Sequence, residues 1–115
     1  MEYWKVIMRN RVVSLLALAS AAICAAPAHA APDMQALAEK SGCFSCHSVQ
    51  NKIVGPAFAD VAAKYKGDAE APARLAKKVR EGGKGTWGRI PMPPHPNLSE
   101  DDARQLVAWV LSTGT

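Results

Sequence analysis

Four stretches of the chain carry apolar residues at the three- and four-residue spacing of a helix face, and no Asn-Gly turn between alternating apolar positions marks a hairpin. The first opens at the capping residue Asp33 and runs its apolar face through Met34, Leu37 and Ala38 towards Cys43. The second is short: Phe58, Val61, Ala62 and Tyr65, ended by Lys66-Gly67. The third takes Pro72 into its first turn, where a missing N–H has no helical partner to lose, continues through Leu75, Ala76 and Val79, and stops at Gly82-Gly83. The fourth is the most strongly marked. Ser99 followed by Glu100, Asp101 and Asp102 sets a cap and three acids at the positive end of a helix whose apolar face is Ala103, Leu106, Val107, Val110 and Leu111. This pattern predicts an all-α domain.

Between the third and fourth helices lies GGKGTWGRIPMPPHPN, residues 82–97, too rich in glycine and proline for regular structure. A structureless loop of this length in a small domain signals a function or a partner that organises it.

A different apolar run precedes all four helices. Lys5, Arg9 and Arg11 are followed by an apolar stretch from Val12 to Ile23 and by Ala28-His29-Ala30, the order of a secretory signal peptide with an A-x-A cleavage site. Residues 1–30 are therefore expected to be removed, leaving residues 31–115 as one domain. The run is short for a membrane span, which needs about 20 apolar residues, so no stable insertion of the mature chain is expected. Cys24 follows Ile23 rather than the small residue of a lipoprotein signal, and is expected to leave with the leader. Export places the domain in an oxidising, periplasmic compartment.

The leader takes three bases and one acid with it, so the net charge falls from +4 to +2 over the remaining 85 of 115 residues. That charge is too small, and too free of basic stripes interleaved with aromatics, for nucleic-acid binding. A domain of this size buries only a marginal core and needs a staple.

The candidate staple is Gly42-Cys43-Phe44-Ser45-Cys46-His47. C-x-x-C-H is the attachment signature of c-type haem, in which two thiols add to vinyl groups on one porphyrin and the histidine directly after them supplies an axial nitrogen. A zinc site needs a fourth ligand, usually from a second such pair, and none is present. A thioredoxin-like pair should follow a strand, and a plain disulfide gives His47 no role. One covalently bound haem c, with its iron, is the expected cofactor.

An electron-carrying haem also wants a second strong axial ligand, and a methionine thioether raises the potential. The mature chain offers Met34, Met92 and the imidazole of His95. Met34 lies on an apolar helix face, an ordinary core position for methionine. Met92 sits in Ile90-Pro91-Met92-Pro93-Pro94, where proline stiffens the backbone, and is the better candidate.

Several stretches in the same order also match a known family: the haem signature, Val54-Gly55-Pro56-Ala57, Asp60-Val61-Ala62-Ala63-Lys64, Gly85-Thr86-Trp87-Gly88, Ile90-Pro91-Met92-Pro93-Pro94 and Ala108-Trp109-Val110-Leu111-Ser112. Over nearly all of residues 31–115 the chain resembles a small bacterial class I cytochrome c of the cytochrome c-551 type, periplasmic electron donors to nitrite reductase. The resemblance implies a cytochrome c fold, short helices wrapped around one haem bound through Cys43 and Cys46, with His47 and Met92 on the iron. It implies that the Pro56 carbonyl accepts the outer N–H of His47, that Trp87 hydrogen-bonds a haem propionate, and that Lys78 stands where relatives carry an arginine for the same propionate. The chain departs from the family in two places: His95 replaces an asparagine that bonds the methionine sulfur, and one extra residue precedes Ser99.

The function so implied is one-electron transfer rather than catalysis, by a monomer. The resemblance implies redox partners: nitrite reductase, a cytochrome c oxidase or a peroxidase as acceptor, and a quinol–cytochrome c reductase as donor. Val54, Pro56, Ile90, Pro93 and Pro94 are expected to rim an exposed haem edge, with Lys40, Lys52 and Lys84 steering an acidic partner. Two rivals use the same signature. One is a haem enzyme or gas sensor with an open iron position, against which only Met92 and its loop stand. The other is a stand-alone copy of a domain from a larger oxidase or dehydrogenase.

Overall fold

The computed structural model describes residues 32–114, so the expected leader, Cys24 and the A-x-A site lie outside the described residues. Four helices follow in order: α1 (Met34–Lys40), α2 (Phe58–Lys64), α3 (Ala71–Glu81) and α4 (Glu100–Ser112), with a 3₁₀ turn at Cys43–Ser45. Each begins where local chemistry allows it. Asp33 accepts the Ala36 N–H at 3.1 Å to start α1, and Ser99 accepts the Asp102 N–H at 3.0 Å to start α4. For α3 the capping oxygen comes from further back: Asp68 Oδ1 accepts from Glu70 and Ala71 N–H at 3.0 and 3.1 Å, and its carboxylate pairs with Arg74 at 2.7 Å.

Helices α1 and α2 have seven residues each, too short to persist alone in water. They hold their form by packing on α4, which also packs along α3 and is the hub of the domain. The contacts use small side chains. Ala57, Ala71, Ala103 and Ala38 are the most deeply buried residues, and Leu98, Leu106 and Val107 complete the packed interior.

The larger apolar side chains do something else. Phe58, Val61, Leu75, Val79, Leu106 and Val110 face a cavity of about 580 Å³. The space a small domain would normally fill with leucine and isoleucine is left open between the helices and the two long loops.

The segment 82–97, expected to be wholly irregular, contains one ordered pairing: an isolated antiparallel bridge between Gly83 and Met92, with N–H···O distances of 3.1 and 2.7 Å. Gly82, at φ +77°, turns the chain off the end of α3 so that this bridge can form, a left-handed conformation that only glycine adopts freely. Composition disfavours a strand here but does not forbid a single residue pair. No strand longer than this bridge occurs among the described residues.

Candidate haem site

The cysteine segment is folded tightly on itself. Gly42, at φ +77°, ends α1 and delivers Cys43 into the 3₁₀ turn, whose carbonyl accepts from Cys46 and His47 N–H at 3.2 and 3.0 Å. The chain then loops back, with Gly55 N–H donating to Cys46 O at 2.8 Å. Ser48 and Val49 carbonyls accept the Phe58 and Ala59 N–H groups at 2.9 and 3.0 Å, so the His47 segment satisfies the start of α2.

Three neighbours fix the His47 ring. Nδ1 lies 2.8 Å from Pro56 O, and because a carbonyl only accepts, Nδ1 carries a proton and, in the neutral ring, the lone pair lies on Nε2. Phe58 stacks on the imidazole with centroids 5.3 Å apart at 24°, and is itself wedged against Phe44 and Trp109. Gly55 closes over the ring: a Cβ there would stand 2.5 Å from Cε1. Cys43 and Cys46 are partly buried, form no disulfide and line the same cavity as the ring, and burial pushes the Cys43 thiol up from its ordinary value.

Met92 reaches the same cavity from the other loop. The Gly83 bridge holds its backbone, and a Cβ on Gly82 would meet Met92 O at 2.7 Å, so the loop lies hard against the end of α3. His95 N–H donates to the Val79 and Arg80 carbonyls at 3.1 and 3.2 Å. The His95 ring, by contrast, has a buried Nδ1 without a hydrogen-bond partner among the described residues.

The cavity mouth is apolar with a basic margin. The four large apolar side chains that stand exposed among the described residues, Ile53, Val54, Trp87 and Ile90, all line it, as do Lys52, Lys84 and Arg89. Lys78 Nζ donates to Thr86 Oγ1 at 2.7 Å, and Lys64 Nζ sits 5.4 Å from the Trp87 ring centroid. The wall thus brings together Cys43, Cys46, His47, Pro56, Lys78, Trp87 and Met92. It does not include Met34, His95, Lys40 or Pro94. Sequence reasoning quoted Thr86 and Lys64 within motifs but gave neither a contact, since their partners lie 8 and 23 residues away and leave no periodic trace. Gly55 was visible as part of a motif, but its reason, the imidazole against its Cα, was not.

An apolar cavity of this volume is the size of a cofactor site. Two free thiols, an imidazole with its Nε2 lone pair available and a thioether in one wall fit a porphyrin held by thioether bonds. No group of three or more His, Cys, Asp or Glu side chains suited to a bare metal ion occurs among the described residues.

An all-α domain wrapped around such a cavity is a haem-carrying electron-transfer domain. The chain belongs to the cytochrome c family, whose profile, Cytochrome c, matches residues 33–114. It is 57% identical over 75 residues to cytochrome c-551 of Allochromatium vinosum, covering 65% of this chain and 80% of that one. To cytochrome c-552 of Nitrosomonas europaea it is 47% identical over 94 residues, covering 82% and 88%. The crystal structure of wild-type Nitrosomonas europaea cytochrome c552 superposes with a TM-score of 0.67, covering 69% of this chain and 98% of that one. The family carries covalently attached haem c, and Cys43 and Cys46 are the cysteines of its C-x-x-C-H signature. Its members are electron-transfer proteins with redox partners, not enzymes.

Proposed function

We propose that the protein is a periplasmic one-electron carrier whose iron is ligated by His47 and Met92, with residues 1–30 removed on export. The observation that carries this reading is the shared cavity wall: His47, held by Pro56 with its Nε2 lone pair available, and Met92, held by the Gly83 bridge, come to one apolar space from two separate loops. The haem, when bound, supplies a ferric–ferrous couple. The chain's part is to keep both ligands in place in either state. The Nδ1–Pro56 bond fixes the imidazole's rotation, Phe58 and Gly55 fix its tilt, and the apolar lining excludes water and favours the reduced form.

Trp87 and Lys78 are the residues proposed for the haem propionates. The indole N–H is a donor beside the basic Lys64, and the ammonium of Lys78, already aimed at the loop by Thr86, is a second. The exposed Ile53, Val54 and Ile90 with Lys52 and Lys84 form a small apolar docking patch with a basic margin, suited to brief encounters with an acidic redox protein such as a nitrite reductase. The protein is proposed to act as a monomer.

The test is the optical spectrum of the matured protein. His47/Met92 ligation predicts a ferric methionine-to-iron charge-transfer band and no response of the ferrous form to carbon monoxide. A prompt carbon monoxide shift without that band replaces the carrier reading with an open iron site.

A further inference from the structure

Arg80 looks unremarkable in the sequence: a base in the last turn of α3, where any cation suits the helix dipole. Its side chain does more than that. It is half-buried, and Nε donates to the carbonyl of Leu98, eighteen residues later, at 3.1 Å. Leu98 is 7% exposed, packed with Ala38 and Leu106, and stands directly before the Ser99 cap of α4. Arg80 therefore ties the end of α3 to the far end of the segment that carries Met92.

That segment has few donors of its own. Pro93, Pro94 and Pro96 have no N–H, the His95 amide is spent on Val79 and Arg80 carbonyls, and the Leu98 amide bonds back to His95 O at 3.2 Å. The ties from the segment to α3 and its exit are the Gly83–Met92 bridge in front, the His95 amide in the middle and the Arg80 guanidinium behind. The first two are backbone. Among the described residues two α3 side chains reach this part of the chain: Lys78 bonds Thr86, ahead of the Gly83–Met92 bridge, and Arg80 bonds Leu98, behind Met92, with a charge-assisted bond that is stronger than a neutral one.

We propose that Arg80 is a positioning residue for Met92: by clamping Leu98 O it holds the ligand segment closed against α3 and so sets how often the thioether leaves its place. The inference rests on Met92 being the axial ligand. A merely structural arginine would alter global stability; a positioning one alters the opening of this segment.

The experiment titrates the matured ferric protein with imidazole, following loss of the methionine charge-transfer band, beside a guanidinium unfolding curve. Imidazole takes the iron position only while the segment is open, so its apparent affinity scales with the open fraction. Arg80→Ala is expected to bind imidazole about tenfold more tightly than wild type, the size one charge-assisted hydrogen bond supports. If Arg80→Ala does not mature, Arg80→Leu, which keeps an aliphatic stem but has no N–H to offer Leu98, carries the same expectation. Wild-type affinity for imidazole in the variant overturns the inference, whatever happens to the unfolding midpoint. A wild-type protein that lacks the band at the outset overturns the Met92 assignment itself, and that is seen before any variant is made.

Discussion

His47 and Met92 stand in the wall of one cavity, yet they are held by different means. The histidine is held through its side chain: a carbonyl on Nδ1, a phenyl ring against its face and a glycine pressed to its edge. The methionine is held through its backbone, by a two-bond bridge and a segment of proline-rich chain laid on the end of α3. The histidine is fixed by packing that also makes up the core, since Phe58 is 5% exposed and touches Phe44 and Trp109. The methionine is fixed by a loop whose neighbours at the mouth are exposed, Ile90 at 67%. The difference means that loosening the histidine requires loosening the fold, whereas the methionine can let go while the helices stay packed.

Five substitutions probe that contrast. The largest effect is expected from Phe58→Ala, which removes both the support of His47 and the aromatic link between α2 and α4. A loss of about 4 kcal/mol in denaturant unfolding is expected, whereas Ile90→Ala at the mouth should stay within about 0.5 kcal/mol. Equal costs for the two would abolish the distinction.

Gly82→Ala comes next. The alanine must adopt φ +77° and its Cβ meets Met92 O at 2.7 Å, a backbone atom that cannot rotate away. About 3 kcal/mol is expected, read out as weakened methionine ligation in the charge-transfer band rather than as a change at the histidine.

Gly55→Ala presses instead on His47 Cε1 and should cost about 2 kcal/mol. It is the mirror of Gly82→Ala, and should shift the reduction potential while leaving the methionine band in place. A lost band in the Gly55 variant would show the two sides to be less independent than their contacts indicate.

The smallest effect lies far from both ligands. Asp68 is held below the usual carboxylate range chiefly by its hydrogen bond with Arg74, with desolvation opposing and the Glu70 and Ala71 N–H groups and the charge of Arg74 adding to the depression. A depressed folded value means that its contribution is present above the unfolded pKa of about 4 and is lost as pH falls through the folded value. Asp68→Asn should therefore flatten the acid side of a stability-against-pH curve and leave haem ligation untouched.

Most of the fold can be read from the chain because helix boundaries have local causes. Asp33 and Ser99 cap where their sequence contexts place them, Pro72 sits in the first turn of α3, and Gly82 follows its last residue. The haem signature is as legible, since covalent attachment demands its cysteines and histidine at fixed spacing. What escapes is whatever depends on contacts between distant segments. The Gly83–Met92 bridge, the Gly55–His47 approach and the Arg80–Leu98 bond join residues whose types are unremarkable and whose separations follow no period. The alanine-rich interior belongs to the same class: periodicity marks which face is apolar, but not that the larger side chains on those faces surround a cavity instead of filling it.

The central claim, that Met92 is the thioether ligand, is tested most directly by proton NMR of the ferrous protein. A methionine methyl held over the haem plane experiences the ring current of the porphyrin and appears as a single three-proton resonance far upfield of all others. That resonance should be present in the wild type, absent in Met92→Ala and retained in Met34→Ala. Its survival in Met92→Ala, or its loss in Met34→Ala alone, would contradict the assignment and place the ligand on a different element of the fold.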